Sequence, residues 1–269
     1  MPTETDLDQE TFDAIRALVY QASGINLGPH KLTMVRARLS KRLRTLGLSD
    51  HRAYLALLRE DSDEVIQLLD AVSTNVTSFF REAIHFGILA DYLQGLHQAG
   101  QQRFRLWSAA SSTGEEPYTI AMTVCETLGL PASDCKILAT DISTRALAAC
   151  RAGSYTAERV AAVPPALRQR YFIANKTEFQ VRDELKRMVV PRRLDLSSPP
   201  FPMTGPLDVV FCRNVMIYFD NTVRSALLAE ITRLLRPGGY LFVGHAESLA
   251  GQLSGLQCVR PTVYRKAPH

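Results

Sequence analysis

Between residues 10 and 72 the apolar positions recur at helical spacing; beyond residue 104 they gather into short runs separated by helical stretches. Phe12, Ile15, Leu18, Val19 and Ala22 share one face of a helix over 10–23, with Gly24 placed to cap its end. After Gly28-Pro29, the stripe Leu32, Val35, Leu39, Leu43 and Leu46 predicts a second helix that Gly47 terminates. Ser49 and Ser62 precede two more apolar stripes and read as their N-caps. Residues 1–72 are therefore expected to form an all-helical domain, with no glycine- or proline-rich linker after it. Residues 73–82 interrupt the periodicity with polar side chains, Phe79 and Phe80, and end in Arg81-Glu82. With a helix over 83–98, they form a linker or lid and a connecting helix.

From residue 99 to residue 269 strands and helices alternate, which predicts an α/β fold. Phe104-Arg105-Leu106 reads as a strand entering a core, and residues 107–114 follow as small side chains and a glycine after Trp107. Glu115-Glu116-Pro117 then opens a helix. Strand, small-residue turn and helix form the first unit of a nucleotide-type fold, in which small side chains let a ligand reach the backbone. The acidic helix start disfavours a phosphate, since an anion would sit where Glu115 and Glu116 already are. A ribose hydroxyl or a cationic ligand fits better, which points to the sulfonium cofactor S-adenosylmethionine. Lys136-Ile137-Leu138-Ala139-Thr140-Asp141 is a second strand ending in an acid, the place where such folds grip a ribose, and Ser143 caps the next helix. The competing reading makes Asp141 a simple helix cap.

Residues 153–190 break the rhythm and are expected to be a small inserted antiparallel hairpin. Its strands would be 178–181 and 188–190, around the charged turn 182–187. Leu194-Asp195-Leu196 ends another strand, with Asp195 near the expected cofactor base. A buried strand over 207–212 ends in Arg213-Asn214, a helix covers 222–235, and Arg236-Pro237-Gly238-Gly239 turns into a strand over 240–244. Closing edge strands are expected at 256–258 and 262–265.

Composition narrows the class. With 269 residues, 46% hydrophobic and 22% charged, the chain has material for a sizeable core and carries no apolar run long enough to span a bilayer. The first residues are acidic and unlike a signal peptide, so a cytoplasmic protein is expected. Five scattered cysteines lack metal or redox spacing and read as reduced thiols. The net charge of +4 conceals a local feature: residues 30–47 hold Lys31, Arg36, Arg38, Lys41, Arg42 and Arg44 and no acid. Lys31, Arg38, Lys41 and Arg42 are expected together on the outer side of the second helix. There they form either a solvated face or a docking surface for an acidic partner.

Five segments, in order and spanning most of the chain, carry a family resemblance. They are Thr74-Asn75-Val76-Thr77-Ser78-Phe79-Phe80-Arg81-Glu82, residues 107–118 with Ser-Thr-Gly-Glu-Glu-Pro-Tyr, Ala139-Thr140-Asp141-Ile142, residues 211–219, and Gly244-His245-Ala246-Glu247-Ser248. The chain resembles the CheR-type chemotaxis receptor methyltransferases, protein-glutamate O-methyltransferases that use S-adenosylmethionine. The resemblance implies a Rossmann-like class I methyltransferase sheet behind the helical domain. It implies cofactor contacts at Asn75, Thr77, Arg81, Glu116, Asp141, Asp195, Leu196, Arg213 and Asn214, although the family more often has Asn where Asp195 stands. Arg81 and Tyr218 are expected to orient the substrate carboxylate, His245 to be a pocket-wall or supporting residue, and no metal to take part. The product would be S-adenosylhomocysteine. The implied partners are the acidic methylation helices of chemoreceptors, met by the basic helix, with the protein a monomer recruited to membrane receptor arrays without inserting in the bilayer. Because turn 182–187 is charged and glycine-free and the 174–177 link is short, no dependence on a receptor C-terminal tether pentapeptide is expected. The alternatives are a methyltransferase of RNA or another acidic substrate and a non-catalytic receptor-binding adaptor. The absence of an Asp/Asn-Pro-Pro-Tyr motif and the intact Arg81, Glu116, Asp141 and Tyr218 set disfavour them, so no stable nucleic-acid partner is expected.

Overall fold

The computed structural model describes residues 7–129, 134–249 and 255–267; the acidic N-terminal residues 1–6 lie outside them. Five helices lead the chain: α1 (Gln9–Ser23), α2 (Leu32–Leu46), α3 (His51–Glu60), α4 (Ser62–Val72) and α5 (Ile84–Gln98). The first four pack around Phe12, Ile15, Val19, Val35, Leu39, Tyr54 and Leu68. Gly24 ends α1 at φ 66° and Gly47 ends α2 at the same value, the left-handed conformation that a helix C-terminus favours. The caps of α3 and α4 are Asp50 and Asp61, not the neighbouring serines. Asp50 accepts from Ala53 N, and Asp61 accepts from both Asp63 N and Glu64 N. A carboxylate at that end also meets the helix dipole favourably.

The basic helix α2 turns two of its cations inward, against the expectation of one outer face. Its neighbour α4 ends beside it with open carbonyls, and Arg38 Nη1 donates to Val72 O at 2.6 Å and Ser73 O at 3.0 Å. Arg42 Nε donates to Glu64 Oε1 at 2.7 Å, an oxygen that also accepts from the buried Tyr54 hydroxyl at 2.7 Å. Lys31, Arg36, Lys41 and Arg44 are exposed.

The rest of the chain runs β1 (Phe104–Ala109), α6 (Glu115–Leu128), β2 (Cys135–Asp141), α7 (Thr144–Ala152), β3 (Ser154–Thr156), α8 (Pro165–Tyr171), β4 (Phe172–Ala174), β5 (Glu178–Val181), α9 (Asp183–Lys186) and β6 (Val189–Arg193). It continues with β7 (Leu207–Cys212), α10 (Asn221–Leu234), β8 (Leu235–Phe242), β9 (Leu256–Arg260) and β10 (Val263–Lys266). Seven strands form one sheet in the order β6-β2-β1-β7-β8-β10-β9. The first five of that order run parallel, while β10 is antiparallel to both its neighbours. Helices on both faces of a mostly parallel sheet bury two apolar layers, one around Phe104, Ile120 and Phe211 and one around Trp107, Val210 and Ile231. No helix among the described residues is long and apolar enough to cross a membrane.

The inserted element is a three-stranded antiparallel sheet, β3-β5-β4, and not a two-stranded hairpin. The strand expected as the hairpin's second arm is β6, which pairs with β2 from Ile137↔Val189 to Asp141↔Arg193 and forms an edge of the main sheet. The charged turn between them is the short helix α9, anchored by the fully buried Leu185. Alternation of charge at its surface hid this inward residue. β8 likewise starts at Leu235, so Pro237-Gly238-Gly239 lies inside an irregular strand where the register with β7 shifts. A Cβ on Gly239 would stand 3.0 Å from Asp208 O.

The helical part is fastened to the sheet at two places. Asp70 of α4 accepts from the Thr144 hydroxyl at 2.7 Å at the start of α7. Tyr20 of α1 donates to Asp220 at 2.5 Å, and Asn26 N donates to Tyr218 O at 2.8 Å.

Candidate functional site

Strand order locates the site. The chain moves outward from β1 to β2 and β6, then returns to β7 on the other side of β1. The crevice at the carboxyl ends of β1 and β7 is thus a topological switch point, where open α/β sheets bind ligands. The β1–α6 turn lines it, with Ala110 at φ 61°, Ser112 at φ 50° and Gly114 at φ 102°. A Cβ on Gly114 would lie 2.7 Å from the Tyr155 hydroxyl and 3.0 Å from Cys150 Cα, so the glycine is required by space as well as by conformation.

Two carboxylates frame this turn. Asp141, at the end of β2, accepts from Ser112 N at 2.8 Å and Ser143 N at 2.9 Å, while Ser143 itself caps α7. Asp141 is therefore a strut between two loops and not the helix cap. Burial raises its carboxyl pKa, and the main-chain donors of Ser143, Ser112 and Ile142 oppose that rise. Glu116 accepts from the Ser108 hydroxyl at 2.7 Å and pairs with Arg213 Nη1 at 3.1 Å. Burial also raises its pKa, against the pull of Arg213 and Ser108.

All the residues singled out for cofactor or substrate meet in one cleft. Asn75, Thr77 and Arg81 reach it from the loop after α4, Glu116 from the first turn of α6, Asp141 from the end of β2, and Asp195 and Leu196 from the segment after β6. Arg213, Asn214 and Tyr218 complete it after β7. Their states differ. Arg81 Nη1 is held by Val76 O at 3.1 Å, and Arg81 has no ion pair among the described residues. Asp195 already accepts from Ser197 N at 2.8 Å and the Ser198 hydroxyl at 2.8 Å. Arg213 is 5% exposed and committed: it pairs with Glu82 at 3.0 Å as well as Glu116, and donates to Arg81 O at 2.6 Å. Its charge is thereby balanced inside the cleft wall. Glu82 feels the same pair; burial pushes its pKa up, but Arg213 and the His245 N–H outweigh it and the net shift is downward.

Of the four cations expected together on the second helix, Lys31 precedes α2 and lines the cleft and Lys41 is exposed, while Arg38 and Arg42 face α4. His245 does not line the cleft; it is 63% exposed and faces Glu82.

Sequence reasoning missed two parts of the site. The first is a wall from the helical part, made by Ile25, Asn26, Leu27 and Met34 with Lys31. Its one sequence signal was Gly24, whose Cβ would meet Ser197 Cβ at 2.5 Å. The second is Glu247, 5% exposed, which accepts from Asn214 N, Gly244 N and Met216 N, each at 2.7 Å. It shapes the backbone that presents Asn214 at φ 59°.

Comparison with known proteins decides the family. Residues 10–73 match the CheR methyltransferase all-alpha domain and residues 75–265 the CheR methyltransferase SAM binding domain. The chain belongs to the CheR methyltransferase family. It is 43% identical over 250 residues to the chemotaxis protein methyltransferase of Escherichia coli K12, covering 91% of this chain and 86% of that one. Identity to the Salmonella typhimurium protein of the same name is 40% over 264 residues, covering 96% and 90%. Chemotaxis protein methyltransferase 2 of Pseudomonas aeruginosa is also 40% identical, over 96% and 94%. This CheR-family chain is an S-adenosylmethionine-dependent methyltransferase, similar over most of its length to chemotaxis protein methyltransferases.

Proposed function

We propose that this protein methylates glutamate side-chain carboxylates of membrane chemoreceptors, leaving glutamyl methyl esters and S-adenosylhomocysteine, for sensory adaptation. The observation that carries the reading is the company Arg81 keeps. A cation with no ion pair among the described residues shares one cleft with the part-buried Glu116, the buried Asp141 and Tyr218. The donor set fits the cofactor: Glu116 and Asp141 offer acceptors to hydroxyl and ammonium groups, Asp195 to an exocyclic amine, and Leu196 an apolar wall to a base. Asn75, Thr77 and Asn214 add neutral polar contacts. Arg213 serves through its partners, holding Glu116 and the loop carrying Arg81, and its balanced charge spares a sulfonium from repulsion. Bound there, S-adenosylmethionine supplies a methyl group on a sulfonium that leaves as a neutral thioether.

A glutamate substrate has an ordinary pKa of about 4.3 and arrives ionised at neutral pH, so no general base is required. The residues need only align the carboxylate and exclude water. Arg81 does the first by a charge-assisted hydrogen bond, with Tyr218 as second orienter. Lys31, Lys41, Arg36 and Arg44 offer exposed positive charge to the acidic receptor helices; Arg38 and Arg42 are spent internally. We further read the protein as a cytoplasmic monomer recruited to receptor arrays, and the three-residue link 175–177 between β4 and β5 as too short to build a tether site.

The test is label transfer from radiolabelled S-adenosylmethionine to receptor-containing membranes or to total RNA. Base-labile label on a membrane protein is expected; label on RNA defeats the proposal. Arg81→Ala should keep the fold by circular dichroism and lose roughly 100-fold in kcat/KM, the scale of a misplaced reactant. An unchanged rate removes Arg81 from the mechanism.

A further inference from the structure

Outside the cleft, three ligating groups converge where the 73–82 loop meets the segment after β8. Glu82, His85 and His245 each present one oxygen or nitrogen within 4.8 Å of the others. His85 is fully buried and its tautomer follows from its partners. Thr262 has one hydroxyl hydrogen, which it gives to Pro261 O at 2.5 Å. With that hydrogen on Pro261 O, Thr262 is assigned as acceptor at 2.8 Å from His85 Nε2, the tautomer with the ring proton on Nε2. That leaves His85 Nδ1 as a bare lone pair, buried and without a hydrogen-bond partner among the described residues. It points at Glu82 Oε2, 3.6 Å away, which is itself buried with no directed hydrogen bond. His245 Nε2 stands 3.9 Å from the same oxygen, on a side chain 63% exposed and able to swing.

Acceptors facing acceptors are an unfavourable arrangement that a cation would resolve. We propose that Glu82, His85 and His245 form a divalent-cation site of the zinc class, two imidazoles and a carboxylate with water in the fourth position. Zinc bonds of about 2.0–2.2 Å set tetrahedral ligand spacings near 3.4 Å; His85 stands 3.6 Å from Glu82 Oε2, and the exposed His245, at 3.9 Å, must swing inward. Arg213, 3.0 Å from Glu82 Oε2, opposes a dication, but its other side is held by Glu116. None of the three ligands lines the cleft, so the site is apart from methyl transfer. Its effect would be to fasten the loop that carries Arg81. Phe80 at φ 55° and Glu82 at φ 57° already hold that loop in left-handed backbone, which external contacts must maintain.

The experiment uses metal-stripped, tag-free, full-length protein titrated with Zn2+ against a chromophoric chelator, and with Co2+ followed by visible absorption. One equivalent of Zn2+ is expected to compete with the chelator, and Co2+ to give tetrahedral d–d bands without thiolate charge transfer. His245→Ala, at an exposed side chain, should weaken binding by more than about 10-fold, since even outer partners of a metal are worth that much. Glu82→Gln should do the same. No uptake against the chelator, a thiolate band, or affinity unchanged by both substitutions overturns the site.

Discussion

Glu247 shows at the level of one residue how a buried charge can be structural. Its two oxygens accept from three main-chain N–H groups, and a Cβ on Gly244 would press within 2.9 Å of one of them. Removing the carboxylate strands two buried donors, Met216 N and Gly244 N, and the part-buried Asn214 N, each buried one costing about 1–3 kcal/mol when unsatisfied. Glu247→Ala should therefore destabilise by roughly 3 kcal/mol or more and show a reduced midpoint in urea. A loss under about 1 kcal/mol would mean that water replaces the side chain. Asp141 was legible in the sequence because it ends a strand where a ligand is expected. Glu247 lies in a quoted motif, yet its work is done on backbone atoms, and no side-chain pattern reveals that.

At the level of an element, α2 separates what periodicity tells from what it hides. The stripe Val35, Leu39 and Leu43 is buried as its spacing demands, and Gly47 ends the helix. Whether a flanking arginine faces water depends on α4, whose position the sequence of α2 does not encode. The two kinds of cation should behave oppositely. Lys41→Glu is expected to leave stability within about 0.5 kcal/mol, as exposed surface changes do, while raising KM for receptor-containing membranes in an ionic-strength-dependent way. Arg42→Ala leaves Glu64, 4% exposed, without its cation and should cost about 3–5 kcal/mol in urea unfolding. If Lys41→Glu leaves KM untouched, α2 is not the docking face. β6 teaches the same lesson: its residues are apolar in either setting, and only pairing with β2 distinguishes sheet edge from hairpin.

At the level of the whole molecule, the helical part is a wall of the cleft and not an appendage, and its share in the proposed cofactor binding can be isolated with two glycines. Gly24 and Gly47 cap successive helices at the same φ of 66°. An alanine at either pays a left-handed penalty of about 1–2 kcal/mol. They differ in what a methyl group meets. At Gly47 nothing lies within 4 Å, whereas at Gly24 it would stand 2.5 Å from Ser197 Cβ and 3.2 Å from Val223 Cγ1 across the junction. Ser197 holds Asp195, and the neighbouring Ile25 and Asn26 line the cleft, so a shift at Gly24 moves two walls together. Gly47→Ala should thus lower stability alone, with S-adenosylhomocysteine affinity unchanged by calorimetry. Gly24→Ala should lower stability further and weaken that affinity by about 10-fold, or about 1.4 kcal/mol. Equal affinities in the two variants would show that the sheet side binds the cofactor unaided and that the helical wall is only adjacent to it.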